Sequence, residues 1–213
     1  MTFSILITCS ANVCRSPLAA AVLTRTVALE EVDRRITVDT GGIEALTGQA
    51  ACPDVLRMAE SRRLRSRTLV QHQAHLLTAE QIEATDLVLA ADRRTRSGIM
   101  KRVPRAAGRT FTLREAAQLG EVAALEVSGH TLEDRLRSYV VAMNAVRGLS
   151  DLPRTRHMIA VTSPWRRVAV HAHDIPDAHQ GERAPHRVVF ALTTSSAEQL
   201  GRGLAGCAQI SVG

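Results

Sequence analysis

The chain has 213 residues, 27 Lys and Arg against 21 Asp and Glu for a formal net charge of +6, and a hydrophobic fraction of 45%. That length can bury a substantial core as one domain, and no apolar run is long enough to cross a membrane, so no membrane partner is expected. The basic balance invites nucleic acid, but with 2% aromatic residues there is little to stack bases on and no nucleic-acid motif appears; attraction of phosphorylated partners is the simpler use of the field.

In chain order, an apolar run at 3–8 predicts a first strand. Behind it stands Cys9-Ser10-Ala11-Asn12-Val13-Cys14-Arg15-Ser16-Pro17, and then an Ala-rich helix over 16–29 with Pro17 where a first turn tolerates it. A thiol, five residues, an arginine and a hydroxyl between a strand and a helix can hold a tetrahedral oxyanion. Backbone N–H groups of Ser10, Ala11, Asn12, Val13 and Cys14 converge with the helix N-terminus on one point, which favours phosphate. The same field favours a thiolate, making Cys9 a nucleophile, and the planar fork of Arg15 can grip two phosphate oxygens. That is the chemistry of a phosphatase. A lipoprotein cleavage site at 6–9 fits less, for want of a charged leader and of about 7–15 preceding apolar residues. Cys9 and Cys14 as metal ligands lack a nearby Cys or His to complete a four-ligand set, so neither metal nor cofactor is expected.

Further along, 36–39 predicts a short strand that stops at the turn signal Thr40-Gly41-Gly42, and 54–64 a helix with Pro53 at its start. Thr78, three residues before Gln81, marks a capping box and another helix. A buried-type strand follows at 86–91, a basic helix at 93–102 and a fourth strand at 109–113. Strands alternating with helices imply a doubly wound α/β fold, a parallel four-stranded sheet with helices on both faces. The rhythm breaks over 115–172. Within that stretch Leu132, Leu136, Tyr139, Val140, Met143 and Val146 predict an amphipathic helix over 131–147, stopped by Gly148. Short strands are expected at 160–161 and 168–170, around Pro164-Trp165, and a last helix at 193–206. Four cysteines (Cys9, Cys14, Cys52, Cys207) make no disulfide framework, and a nucleophilic thiol needs a reducing compartment, so a cytoplasmic location is expected.

The motif at 9–17 resembles that of the low-molecular-weight protein tyrosine phosphatases, which carry Cys-x-Gly-Asn-x-Cys-Arg-Ser-Pro after the first strand. Four more segments agree in order: 40–49, His72-Gln73-Ala74-His75 before Leu77-Thr78, Asp86 to Asp92, and Asp174-Ile175-Pro176-Asp177. The resemblance covers about 2–113 and 172–206, which makes 1–213 one phosphatase-like domain with an insertion at about 115–172. It implies that Cys9 attacks phosphorus, Arg15 and the loop amides hold the charge, Ser16 donates to the Cys9 thiolate, and Asp177, ahead of Asp174, serves as general acid. It also implies that Asn12, Thr40 and His72 hold the loop by hydrogen bonds, and that Cys14 can form a reversible disulfide with Cys9. Cys52 and Cys207 have no role in it.

This chain departs from the family at Ala11, where Gly is usual, at Ala178, where Pro is usual, and at His179 and Leu46, where the pocket has aromatic walls. The substrate expected is a phosphorylated protein, as phosphotyrosine, or a small phosphate ester. A phosphate-binding module without turnover is the alternative. An arsenate reductase would need further cysteines after the third strand, and 86–105 has none; a protein-arginine phosphatase would have Thr in place of Val13. The insertion is left open as a cap, a dock on the sheet edge or an oligomer interface, with its amphipathic helix expected near the acid loop it feeds.

Overall fold

The structure is a computed structural model that describes residues 2–64, 66–147, 156–160, 167–180 and 184–209. Strands β1 (Phe3–Cys9), β2 (Ile36–Gly42), β3 (Leu87–Ala90) and β4 (Thr110–Thr112) form one parallel sheet in the order β2-β1-β3-β4. Alternation along the strands sends side chains to opposite faces. Phe3, Ile5, Ile7, Leu87, Leu89 and Phe111 enter one buried cluster, and Leu6, Val88 and Ala90 enter another. The first cluster is closed by α1 (Arg15–Leu29), α6 (Leu113–Ala123), α7 (Leu132–Val146) and α8 (His186–Gly206), and the second by α4 (Ala79–Glu83) and α5 (Arg93–Arg102). Helices therefore cover both faces, as the alternating pattern requires. Two further helices, α2 (Pro53–Ser61) and α3 (Arg67–Val70), lie between β2 and α4, and β5 (Arg156–Ala160) pairs antiparallel with β6 (Arg167–His171).

Several boundaries shift for identifiable reasons. β2 runs through Thr40, Gly41 and Gly42 instead of turning, because they pair with Ile7, Thr8 and Cys9 of β1. At Gly42 a Cβ would stand 2.7 Å from the Ser10 carbonyl oxygen, so only glycine lets β2 approach the 10–14 loop. The rhythm does not break at 115: Thr112 caps α6 with its hydroxyl and Glu115 answers in a capping box. α8 starts seven residues before the expected position, since Val189 and Phe190 are buried against the α1 side and packing outweighs the modest helix propensity of Val and Phe. The capping box at Thr78 and the helix 93–102 stand as read. Gly148, residues 161–166 and so the Pro164-Trp165 turn lie outside the described residues.

The amphipathic helix of the insertion is α7, capped by Thr131, with Leu136, Tyr139, Val140 and Met143 buried. It does not pack near the acid loop. Arg137 pairs with Asp86 (3.0 Å) just before β3, and Glu133 with Arg35 (2.7 Å) just before β2, both at the ends where strands begin. At its other end Arg147 donates to the Thr110 carbonyl (2.6 Å) of edge strand β4 and lies over the Phe111 ring. Its apolar stripe fits the core of α6 and α8 better than a polar loop, and the helix crosses beneath the ends where the strands begin, from β2 to β4, instead of docking on a sheet edge. Among the described residues no helix is long and apolar enough to cross a membrane.

Candidate active site

β1 ends on Cys9 at the edge where the parallel strands finish, the usual place for a site in such a sheet. The loop that follows has its carbonyls pulled outward. N–H groups of Ile43, Glu44 and Leu46 donate to the carbonyls of Cys9, Ser10 and Ala11 (3.1, 3.0 and 3.1 Å), and that of Cys52 to Val13 (2.8 Å). His72 Nε2 donates to the Asn12 carbonyl (2.6 Å). With no cis bond among the described residues, each carbonyl turned out turns the next N–H in, so the amides of 10–14 line the inside of a ring. Asn12, at φ +56°, makes the left-handed step the ring needs, and Asn tolerates it better than most residues. Ala11 is not in the left-handed region, so its Cβ brings no strain where the family has Gly.

Asn12 also organises the floor, although only 2% of Cys9 is exposed there. Its backbone N–H donates to Cys9 Sγ (3.2 Å), its Nδ2 to Ser16 Oγ (2.9 Å), and its Oδ1 accepts from the His75 N–H (3.0 Å). Ser16 Oγ lies 3.1 Å from Cys9 Sγ. Because the hydroxyl already accepts from Asn12, its own proton is free to point at sulfur. Burial lowers the affinity of His72 for a second proton, which keeps the ring a neutral donor to the loop. Thr40 is buried nearby, but among the described residues its hydroxyl makes no bond to the loop. Ser10 is held instead by Glu44, its Oγ donating to Oε2 (3.0 Å).

Arg15 opens α1 and is 4% exposed. Nη1 donates to Asp92 Oδ2 (2.7 Å) and the Ile175 carbonyl (3.1 Å), and Nη2 to Asp177 Oδ2. Burial opposes the charge, and Cys9, Asp177 and Asp92 more than offset it, holding the guanidinium above its ordinary range. Asp92 went unassigned in the sequence; its other oxygen caps α5 through the Thr95 N–H (2.7 Å). A signal was present, in an Asp at the end of β3 ahead of a helix. The structure separates the two acid candidates. Asp177 reaches Arg15, its Oδ1 accepting from the N–H groups of His179 (2.7 Å) and Gln180 (3.1 Å). Asp174 is turned to Arg93, which donates to it from the backbone N–H (2.9 Å) and from Nε and Nη2.

A cavity of about 460 Å³ stands over Cys9, with Ala11, Val13, Arg15 and Asp177 at its base and Leu46, Gln49 and His179 on its walls. Cys14 and Cys52 also line it. The Cys14 thiol is pushed up by its hydrogen bond to Cys52 and by burial, and Cys52 is pushed down by the same bond, helped by the N–H groups of Val55 and Asp54 at the start of α2. Cys52 therefore has a partner that the sequence reading did not give it. His179 and His186 stand beside the two sulfurs, and the four ligand atoms lie within 4.8 Å of one another. No motif spacing reveals this set, because its members are far apart in the chain and only folding assembles them.

Comparison with known proteins agrees with this geometry. Residues 4–129 match the family model described as low molecular weight phosphotyrosine protein phosphatase, which carries the likeness through α6. A protein of Ralstonia nicotianae named probable low molecular weight protein-tyrosine-phosphatase EpsP is 30% identical over 118 residues, 55% of this chain and 75% of that one. The low molecular weight protein-tyrosine-phosphatase Wzb of Salmonella typhimurium is 28% identical over 152 residues, covering 68% and 96%. Among solved structures, the Escherichia coli K30 tyrosine phosphatase Wzb in complex with sulphate superposes with a TM-score of 0.58 at 20% identity, covering 95% of this chain and 98% of that one. YfkJ from Bacillus subtilis superposes at 0.62 and 17%, covering 94% and 92%. With the sheet order, the loop and the matched residues together, the chain belongs to the low-molecular-weight phosphotyrosine protein phosphatase family and is a cysteine-dependent phosphatase.

Proposed function

We propose that the chain hydrolyses phosphotyrosine in proteins through a cysteinyl-phosphate intermediate. The observation that carries this is one floor: Cys9 Sγ contacted by Ser16 Oγ (3.1 Å) and the Asn12 N–H (3.2 Å), inside an amide ring, with Arg15 and Asp177 beside it. An incoming phosphate competes with Asp177 for Arg15 Nη2 and frees that carboxyl to face the leaving oxygen. Cys9 attacks phosphorus as the bond to the phenolic oxygen breaks, and Asp177 gives its proton to that oxygen. Water then attacks the cysteinyl phosphate, losing a proton to Asp177. Cys9 departs as thiolate with the Ser16 hydroxyl donating to it, and inorganic phosphate leaves. Arg15 and the inward amides of residues 10–14 hold the charge on the transferring group throughout, and Asp92 keeps Arg15 in place.

The aryl group is expected between Leu46 and His179, which flank the cavity. The reading treats 1–213 as one domain, supported by the core that α6 and α7 share with α1 and α8, and moves the start of the insertion from about 115 to after 129, where the family match ends. The test is hydrolysis of para-nitrophenyl phosphate and a phosphotyrosyl peptide under reducing conditions. Cys9→Ser is expected to abolish turnover and Asp177→Asn to slow it about 10²–10⁴-fold. A folded wild type that binds vanadate but turns over neither substrate would make the chain a phosphate-binding module instead.

A further inference from the structure

The catalytic reading uses neither Cys52, nor His186, nor the ring nitrogens of His179. Yet these three side chains and Cys14 converge from four separate elements. Cys14 ends the phosphate loop, Cys52 precedes α2, His179 lies two residues beyond Asp177 on the acid loop, and His186 opens α8. The two sulfurs are buried, at 5% and 1% exposure, while the imidazoles close the set from the solvent side.

The spacing of the four atoms resembles the edges of a coordination tetrahedron. Zinc bonds of about 2.3 Å to sulfur and about 2.0–2.1 Å to nitrogen give ligand edges of about 3.3 Å between nitrogens, about 3.6 Å between sulfur and nitrogen and about 3.8 Å between sulfurs. Here His179 Nε2 and His186 Nε2 are 3.4 Å apart, Cys52 Sγ and His186 Nε2 are 3.4 Å apart, and all four atoms fall within 4.8 Å. The Asp54 carboxylate lies 3.7 Å from His186 Nε2 and adds negative charge at the margin.

We propose that Cys14, Cys52, His179 and His186 form a binding site for a zinc-like divalent cation in the wall of the catalytic cavity. Two thiolates and two imidazoles make a set that suits Zn²⁺ and rejects Mg²⁺ and Ca²⁺, which require oxygen. Both cysteines bind as thiolates, so loading is coupled to proton release and weakens as pH falls. With four protein ligands the site is closed, which is the signature of a structural ion. Its effect is to tie the acid loop, through His179, to the phosphate loop, through Cys14. Ala178 leaves that loop without the proline that its relatives have beside the acid, and the ion supplies a tether there.

The experiment reads metal binding and stands apart from turnover. Protein stripped with chelator under reducing conditions is titrated with Co²⁺, and then with Zn²⁺ in competition. One equivalent is expected to bind, with the visible bands of tetrahedral cobalt and sulfur-to-cobalt charge transfer of two thiolates, all displaced by Zn²⁺. Cys52→Ser and His186→Asn should each weaken binding by at least about 100-fold. The second substitutes a half-buried side chain at a helix start, so it tests the site even if Cys52→Ser disturbs the core. Cys207→Ser and Cys9→Ser should keep the spectrum. Loss of the spectrum in Cys9→Ser with retention in His186→Asn would put the ion on the nucleophile and overturn the proposal. So would six-coordinate cobalt or no binding, which would leave the four side chains as a hydrogen-bonded chain.

Discussion

Asn12 carries both the backbone step and the side-chain network of the phosphate loop, and two substitutions separate them. Asn12→Ala removes the donor to Ser16 Oγ (2.9 Å) and the acceptor for the His75 N–H (3.0 Å), and forces an ordinary Cβ residue to hold φ +56°. The two lost bonds are worth about 2 kcal/mol together, more if the His75 N–H finds no water. The left-handed step adds about 1–2 kcal/mol for a residue with Cβ and no polar side chain. Asn12→Ala is therefore expected to cost about 3–4 kcal/mol. Asn12→Gly loses the same bonds but takes the step freely, giving back about 0.5–1 kcal/mol of that ease as unfolded-chain entropy, so it should cost about 1 kcal/mol less. In urea denaturation with a slope of about 2 kcal/mol/M, the midpoint falls by about 1.5–2 M for Ala and about 1–1.5 M for Gly. Both should lose about 10–100-fold in kcat/KM, because the Ser16 hydroxyl is no longer aimed at sulfur. Equal midpoints for the two variants would mean that residue 12 is not left-handed in solution. Wild-type midpoints in both would mean that the network from Asn12 to Ser16 and His75 does not form.

Other substitutions test other parts of the argument. Asp92→Asn keeps an acceptor for the Thr95 N–H, so the α5 cap survives and stability changes by under about 1 kcal/mol. It weakens the charge-assisted bond to Arg15, and kcat/KM for a phosphate ester should fall about 10–100-fold, whereas Asp92→Ala adds a measurable loss of thermal stability. Gly42→Ala puts a Cβ 2.7 Å from the Ser10 carbonyl and 3.0 Å from Ala45 Cα, and should cost about 1–3 kcal/mol in urea unfolding together with phosphate affinity. His72 and His173 are both held below their ordinary proton affinity by burial. The unfolded chain binds their protons more readily, so this stability is full above about pH 6.5 and drains as pH falls through the lower folded values. Melting temperature should drop on that side, and less steeply in His72→Gln; a slope unchanged by that substitution would remove His72 from the account.

The sequence by itself determined the sheet class, the phosphate loop and the succession of the four sheet strands, while α3 and α6 went unread. These are local facts: short apolar runs, an Ala-rich helix after Pro17, and a thiol and guanidinium at fixed separation on one turn. Thr78 and Gln81 could be read as a capping box for the same reason, since the partners are three residues apart. Folding decided what depends on distant neighbours. Gly41 and Gly42 are strand and not turn because β1 pairs with them, and α8 begins at His186 because α1 offers a core to Val189 and Phe190. α7 lies beneath the strand starts because Glu133, Arg137 and Arg147 find Arg35, Asp86 and the Thr110 carbonyl there. Asp92 became a partner of Arg15, and Cys52 joined Cys14, His179 and His186, only once the ends of strands and helices met. Side chains from four elements share no spacing along the chain, and their proximity is a property of the packed molecule alone.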